Sequence, residues 1–244
     1  MRSGNPILRD DTFTRHEVTS GAEMTLPGTV NKTAILLALT LISALWVWNR
    51  FFELQDPAAI TPYLYGGVIG GLVLLLITTF AIKASPITAP LYALCEGLAL
   101  GGISAFYELR YPGLVIQTVA LTFGTLACLL VAYRTGAVRA TEKFKLGVVA
   151  ATGAIALLYL VNIVMSLFGH SMGFIHQSGT VGILFSLVVV VVAALNLVLD
   201  FDFIERGVAN RNPKYMEWYA AFSLLVTLIW LYMEMLRLLS KLRR

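Results

Sequence analysis

Charge is scarce in this chain. Lys, Arg, Asp and Glu together make up 13% of its 244 residues, about half the share of an ordinary soluble domain. Cysteine is nearly absent. Cys95 and Cys128 both lie in apolar runs, which excludes a disulfide framework and marks them as small buried hydrophobes. Histidine occurs three times, at His16, His170 and His176. None has the spacing of a metal pair on an apolar segment. His16-Glu17 is followed by Val-Thr-Ser-Gly, so HExxH is missing, and so is a GxSxG elbow. Residues 215–239 contain no lysine that could hold a retinal. No enzymatic chemistry is therefore expected. No block of like charge and no basic–aromatic repeat is present, so nucleic acid is not an expected partner.

What is abundant is apolar surface. Hydrophobic residues make up 58% of the chain, against roughly 45–50% in soluble domains, and the mean hydropathy is +0.78. One soluble core cannot hide that much, and disorder needs the opposite composition. The expected class is an all-α polytopic membrane protein. Seven segments reach the roughly 20 residues that hydrocarbon demands: 33–52, 62–82, 88–107, 114–134, 146–168, 179–203 and 215–239. Residues 1–32 carry both signs of charge and no apolar core, unlike a signal peptide. They are predicted to form a cytoplasmic tail, with a regulatory segment as the alternative, ahead of a membrane domain at 33–244.

The net charge of +4 is placed to orient a membrane protein. With the N-terminus inside, twelve of the eighteen Lys and Arg fall in the tail and the second, fourth and sixth loops, the bias that favours a cytoplasmic N-terminus. The C-terminus is then outside, although its own basic residues fit the inside if the seventh segment re-enters. Gly66/Gly70, Gly67/Gly71 and Gly97/Gly101 form GxxxG pairs. Close packing within one bundle is the expected use, and dimerisation the alternative.

Ionisable residues at membrane depth are functional candidates because their desolvation must be offset. Glu96 lies mid-span in LCEGLALGGIS. It must be protonated, paired or wetted. Asn196 and Asp200, four apart, share a helix face and suggest a polar pocket, or a structural tie between spans six and seven. Asp202 points elsewhere and, with Glu205, is expected to be solvated. Glu217 opens the seventh span. Glu234 and Arg237, three apart, are expected to pair, with Lys241 continuing their face as an interfacial anchor. Carboxylates of this kind suit proton sensing and also supply the hard oxygen ligands that Ca²⁺ prefers.

Three stretches carry a resemblance: SPITAPLYALCEGLALGGISAFYE (85–108), TEKFKLGVVAATGAIALLYLVN (141–162), and LVLDFDFIER (197–206) with AAFSLLVTLIWLYMEMLRLL (220–239). Together the pattern over 31–244 resembles the Bax inhibitor family, in its bacterial form. The resemblance implies seven helices with the last one central, a pH-sensitive calcium leak, and protection from cell-death stress. It implies an aspartate pair as sensor in bacterial members, one ending span six and one within span seven. The first matches Asp200. The second falls on Thr227, which leaves the pair incomplete. Glu234 cannot replace it, being 17 residues beyond Glu217, about 25 Å along a helix. Glu217, Asp202 and Glu96 are the substitute partners to consider, and Arg237 matches a late arginine of the family. The expected protein is a cation leak in the plasma (inner) membrane, with no resident cofactor beyond transient Ca²⁺. Its rivals are a non-conducting protein that binds a membrane partner such as a protease, and a small-solute transporter hinted at by Gly70-Gly71 and Gly101-Gly102.

Overall fold

A segment in hydrocarbon must satisfy every backbone N–H and C=O internally, and a helix does so along its own length. The computed structural model describes residues 22–54, 56–169 and 179–243. Among these it has seven α-helices: α1 (Leu26–Leu54), α2 (Pro57–Phe80), α3 (Ser85–Arg110), α4 (Leu114–Arg134), α5 (Glu142–Leu167), α6 (Thr180–Ala209) and α7 (Met216–Leu242), with a 3₁₀ turn at Ile82–Ala84. All seven are long and apolar enough to cross a membrane. The first 21 residues of the expected tail, and His170 and His176 of the expected fifth loop, lie outside the described residues.

The helices overrun most of the apolar segments because their caps lie in polar sequence. α1 starts at Leu26, two turns before the predicted 33. The Thr25 hydroxyl accepts the Gly28 N–H at 3.1 Å, and Pro27 fits a first turn whose N–H groups lack helical partners. α2 starts at Pro57, not 62. Asp56 caps it by accepting the Ala58 N–H at 2.9 Å. α6 runs through LDFDFIER to Ala209, where Arg206 pairs with Asp202 one turn before it.

The chain divides into two compact units, residues 1–110 with 202–226, and residues 111–201 with 227–244. In the first, α1 and α2 pack on α3 through glycine. Gly67 lies against the Cys95 carbonyl and Ala99. Gly97 and Gly101 lie against Thr40, Ser43 and Ala44 of α1. These glycines are thus used within the chain rather than left for a dimer, whereas Gly66 faces open space. Val47, Phe51, Ile60 and Ala105 close one end of this core.

Residues 22–25 are not free tail. Glu23 and Pro213 form an antiparallel bridge, with Met24 N–H to the Asn212 carbonyl at 2.7 Å and Lys214 N–H to the Ala22 carbonyl at 3.0 Å. Met24 is buried, its sulfur over Gly207. In the second unit, Tyr159 meets Phe185 edge-on, Tyr133 meets Phe201, and Arg243 binds the Pro112 carbonyl and Gln117 Oε1.

About half of the apolar window of α3 (56%) and α7 (50%) is inside the protein, against 17–22% for α1, α2, α4 and α5. α7 meets α1 and α3 along its first half and α5 and α6 along its second. The outer helices keep large side chains exposed, such as Ile42, Ile69, Ile116 and Leu157, as a face toward lipid tails requires.

Candidate functional site

A carboxylate taken from water is tolerated only if something replaces its hydration. The structure handles its membrane-depth acids in four different ways.

Glu217, in the first turn of α7, is fully buried and saturated with donors. Lys32 of α1 pairs with it, Lys214 reaches it at 3.3 Å, and the Thr25 N–H and hydroxyl each donate at 2.9 Å. Gly28 makes room, since a Cβ there would overlap the carboxylate. The acid therefore sits at the start of α1, where the helix dipole favours negative charge. Lys32 also lies over the Trp218 ring. Glu217 is a clamp between α1 and α7, which removes it as an uncommitted partner for Asp200.

Glu234 is also buried, at 2% exposure. Arg237 donates to both its oxygens at 2.9 and 3.0 Å, and the Tyr159 hydroxyl donates at 2.9 Å. Lys241, one turn on from Arg237, is buried rather than interfacial. Its Nζ donates to the Gly182 carbonyl at 2.9 Å and to Ser186 Oγ at 2.8 Å. The expected interfacial anchor is instead a buried cluster fixing α7 to α5 and α6.

Glu96 lies midway along α3 and is partly buried. The Tyr92 hydroxyl, one turn earlier, donates to it. Its carboxylate lies against α2 where Gly71 has no side chain; a Cβ there would be 2.6 Å from Oε1.

Asp200, in α6, is 7% exposed. Asp202, two residues on, is not left in open solvent as expected: its side chain is 16% exposed and salt-bridged to Arg206, on a different face of the helix from Asp200. Asn196 shares the face of Asp200, but its amide hydrogens go to Thr152 Oγ1 at 2.8 Å and the Val192 carbonyl at 2.9 Å. It ties α6 to α5 rather than contributing donors to a pocket with Asp200. Thr227 is buried in α7. Asp200, Asn196, Thr227, Glu234 and Arg237 belong to the second unit, and Glu96, Asp202 and Glu217 to the first.

Alongside these seven membrane-length helices, a family model described as Bax inhibitor 1 like matches residues 5–244, nearly the whole chain. The chain belongs to this family. Neither a curated protein nor a solved structure matches it. In this Bax inhibitor 1 like protein, sequence reasoning missed Thr25, Lys32, Tyr92, Tyr159 and Ser186. Tyr92 was signalled by its i−4 spacing to Glu96. The others act on acids or cations far away in sequence, and nothing local marks them.

Among the described residues, no group of three His, Cys, Asp or Glu could hold a metal ion.

Proposed function

We propose that this integral membrane protein is a cation leak pathway of the plasma membrane, with Ca²⁺ the ion to test first, controlled by protonation of Asp200. The observation that carries the reading is Asp200 itself, a carboxylate 7% exposed in a helix long and apolar enough to span the bilayer. Such a group exchanges between a charged form, which attracts and ligates a cation, and a neutral form, which does neither. Membership of the Bax inhibitor 1 like family supports it. The reading involves no resident cofactor and no covalent chemistry, and the bilayer is its standing partner.

The same reading takes the N-terminus to be cytoplasmic, which the distribution of Lys and Arg supports. Of the bases counted for this bias, Lys32 on the inner side and Arg237 and Lys241 on the outer side are engaged within the protein, so discounting all three leaves the excess on the inner side.

The test is Ca²⁺ entry into proteoliposomes as a function of pH. Wild-type flux falls on acidification, as Asp200 is neutralised. Asp200→Asn shows at least about tenfold lower flux at high pH, the equivalent of 1.4 kcal/mol of lost cation attraction, and no further pH response. Equal flux and equal pH response in the two proteins would remove Asp200 from the mechanism.

A further inference from the structure

The Glu96 site differs from those of Glu217 and Glu234 in having no cation among the described residues. Glu217 has Lys32 and Lys214, and Glu234 has Arg237. Among the described residues, the Tyr92 hydroxyl is the polar group that bonds Glu96, with the Cys95 thiol beside it. The other elements packed on α3 bring no charge to it. α2 meets it with Gly71, where the missing side chain leaves the gap that the carboxyl fills. α1 packs on Gly97 and Gly101 with Thr40, Ser43 and Ala44. α7 reaches Tyr92 through Phe222, ring centroids 4.9 Å apart. Tyr92 itself is 2% exposed, so its hydroxyl must find its partner inside the protein. Depth removes the remaining escape. Glu96 is about 17 Å from the Ser85 end of α3 and about 21 Å from the Arg110 end, at 1.5 Å per residue. Its side chain spans about a third of either distance and cannot snorkel to water.

We infer that Glu96 is a proton-binding site at mid-membrane depth, formed by Tyr92 on α3 and the Gly71 gap on α2. The ligand is the proton itself. In the neutral state the carboxyl seals α3 against the bare α2 backbone. In the ionised state it has no countercharge within the site, and it must admit water or a cation between the two helices. The site stands whether or not Asp200 controls conduction.

Carbodiimides add only to protonated carboxyls, and the choice of reagent reads depth. The full-length protein in lipid vesicles is treated with dicyclohexylcarbodiimide, which partitions into lipid, or with a water-soluble carbodiimide, and the adducts are mapped by mass spectrometry. The lipid-soluble reagent is expected to label Glu96, with the yield rising roughly fivefold or more from about pH 9 to about pH 6 as the carboxyl gains its proton. The water-soluble reagent labels the exposed Glu23 and Glu205 and leaves Glu96 unmodified. Asp200→Asn retains the Glu96 adduct and its pH profile. Absence of a Glu96 adduct at about pH 6 in folded protein overturns the inference, as does equal labelling by both reagents, or loss of the adduct in Asp200→Asn.

Discussion

Replacing Arg237 with Met lowers the thermal unfolding midpoint by roughly 10 °C. Glu234 is 2% exposed, and Arg237 supplies two of the three hydrogen bonds described on its carboxylate. Removing one partner of a buried ion pair costs about 3–5 kcal/mol, because the other charge is left without compensation. For a protein of this length each kcal/mol shifts the midpoint by roughly 2–4 °C. The guanidinium also lies 5.2 Å from the Tyr159 ring centroid, a contact that Met replaces only in part. The double variant Arg237→Met, Glu234→Gln recovers most of the loss, since Gln carries no charge and can still accept the Tyr159 hydroxyl. Unfolding followed by intrinsic fluorescence in detergent checks both variants. A midpoint within about 2 °C of wild type for Arg237→Met would show the cluster to be dispensable.

Glycine substitutions separate by what faces them rather than by their GxxxG spacing. Gly101→Ala places a methyl against the Ala44 carbonyl oxygen, 2.9 Å from Ala44 Cα. The obstacle is backbone, so α1 must move away from α3, at about 1–3 kcal/mol for a single methyl. Gly101→Leu exceeds this and yields protein that fails to elute as a single species on size exclusion. Gly97→Ala meets Ser43 Oγ and the Thr40 carbonyl and behaves like Gly101→Ala. Gly66→Ala and Gly124→Ala add a methyl to open space. They are neutral, or stabilising by up to about 1 kcal/mol, because alanine is the better helix former. Equal stability of Gly101→Ala and Gly66→Ala would contradict the α1–α3 packing.

Seven apolar runs are legible in the sequence because hydrocarbon thickness sets a length that few soluble segments reach. The helix ends are less legible. Hydropathy stops at Thr33 and Pro62, whereas the caps at Thr25 and Asp56 lie in polar sequence. That Asp202 turns to Arg206 while Asp200 is buried elsewhere was readable from their two-residue spacing. So was the Glu234–Arg237 pair, from its i, i+3 spacing. Spacing could not reveal Tyr159 as the third member, 75 residues away. Nor could it show that Lys32, counted among the bases that set orientation, neutralises Glu217 across 185 residues. A charge tally treats every lysine as solvated, and Lys32 and Lys241 are held inside the protein instead.

The central claim is that this Bax inhibitor 1 like protein conducts cations under control of a buried carboxylate. Ca²⁺ entry into vesicles containing only the wild-type protein, compared with protein-free vesicles of the same lipid, tests it most directly. The account predicts entry above the protein-free rate at about pH 8 that falls progressively toward about pH 6 as buried carboxyls gain protons. Entry indistinguishable from protein-free vesicles at every pH, with the protein folded and inserted, would contradict it.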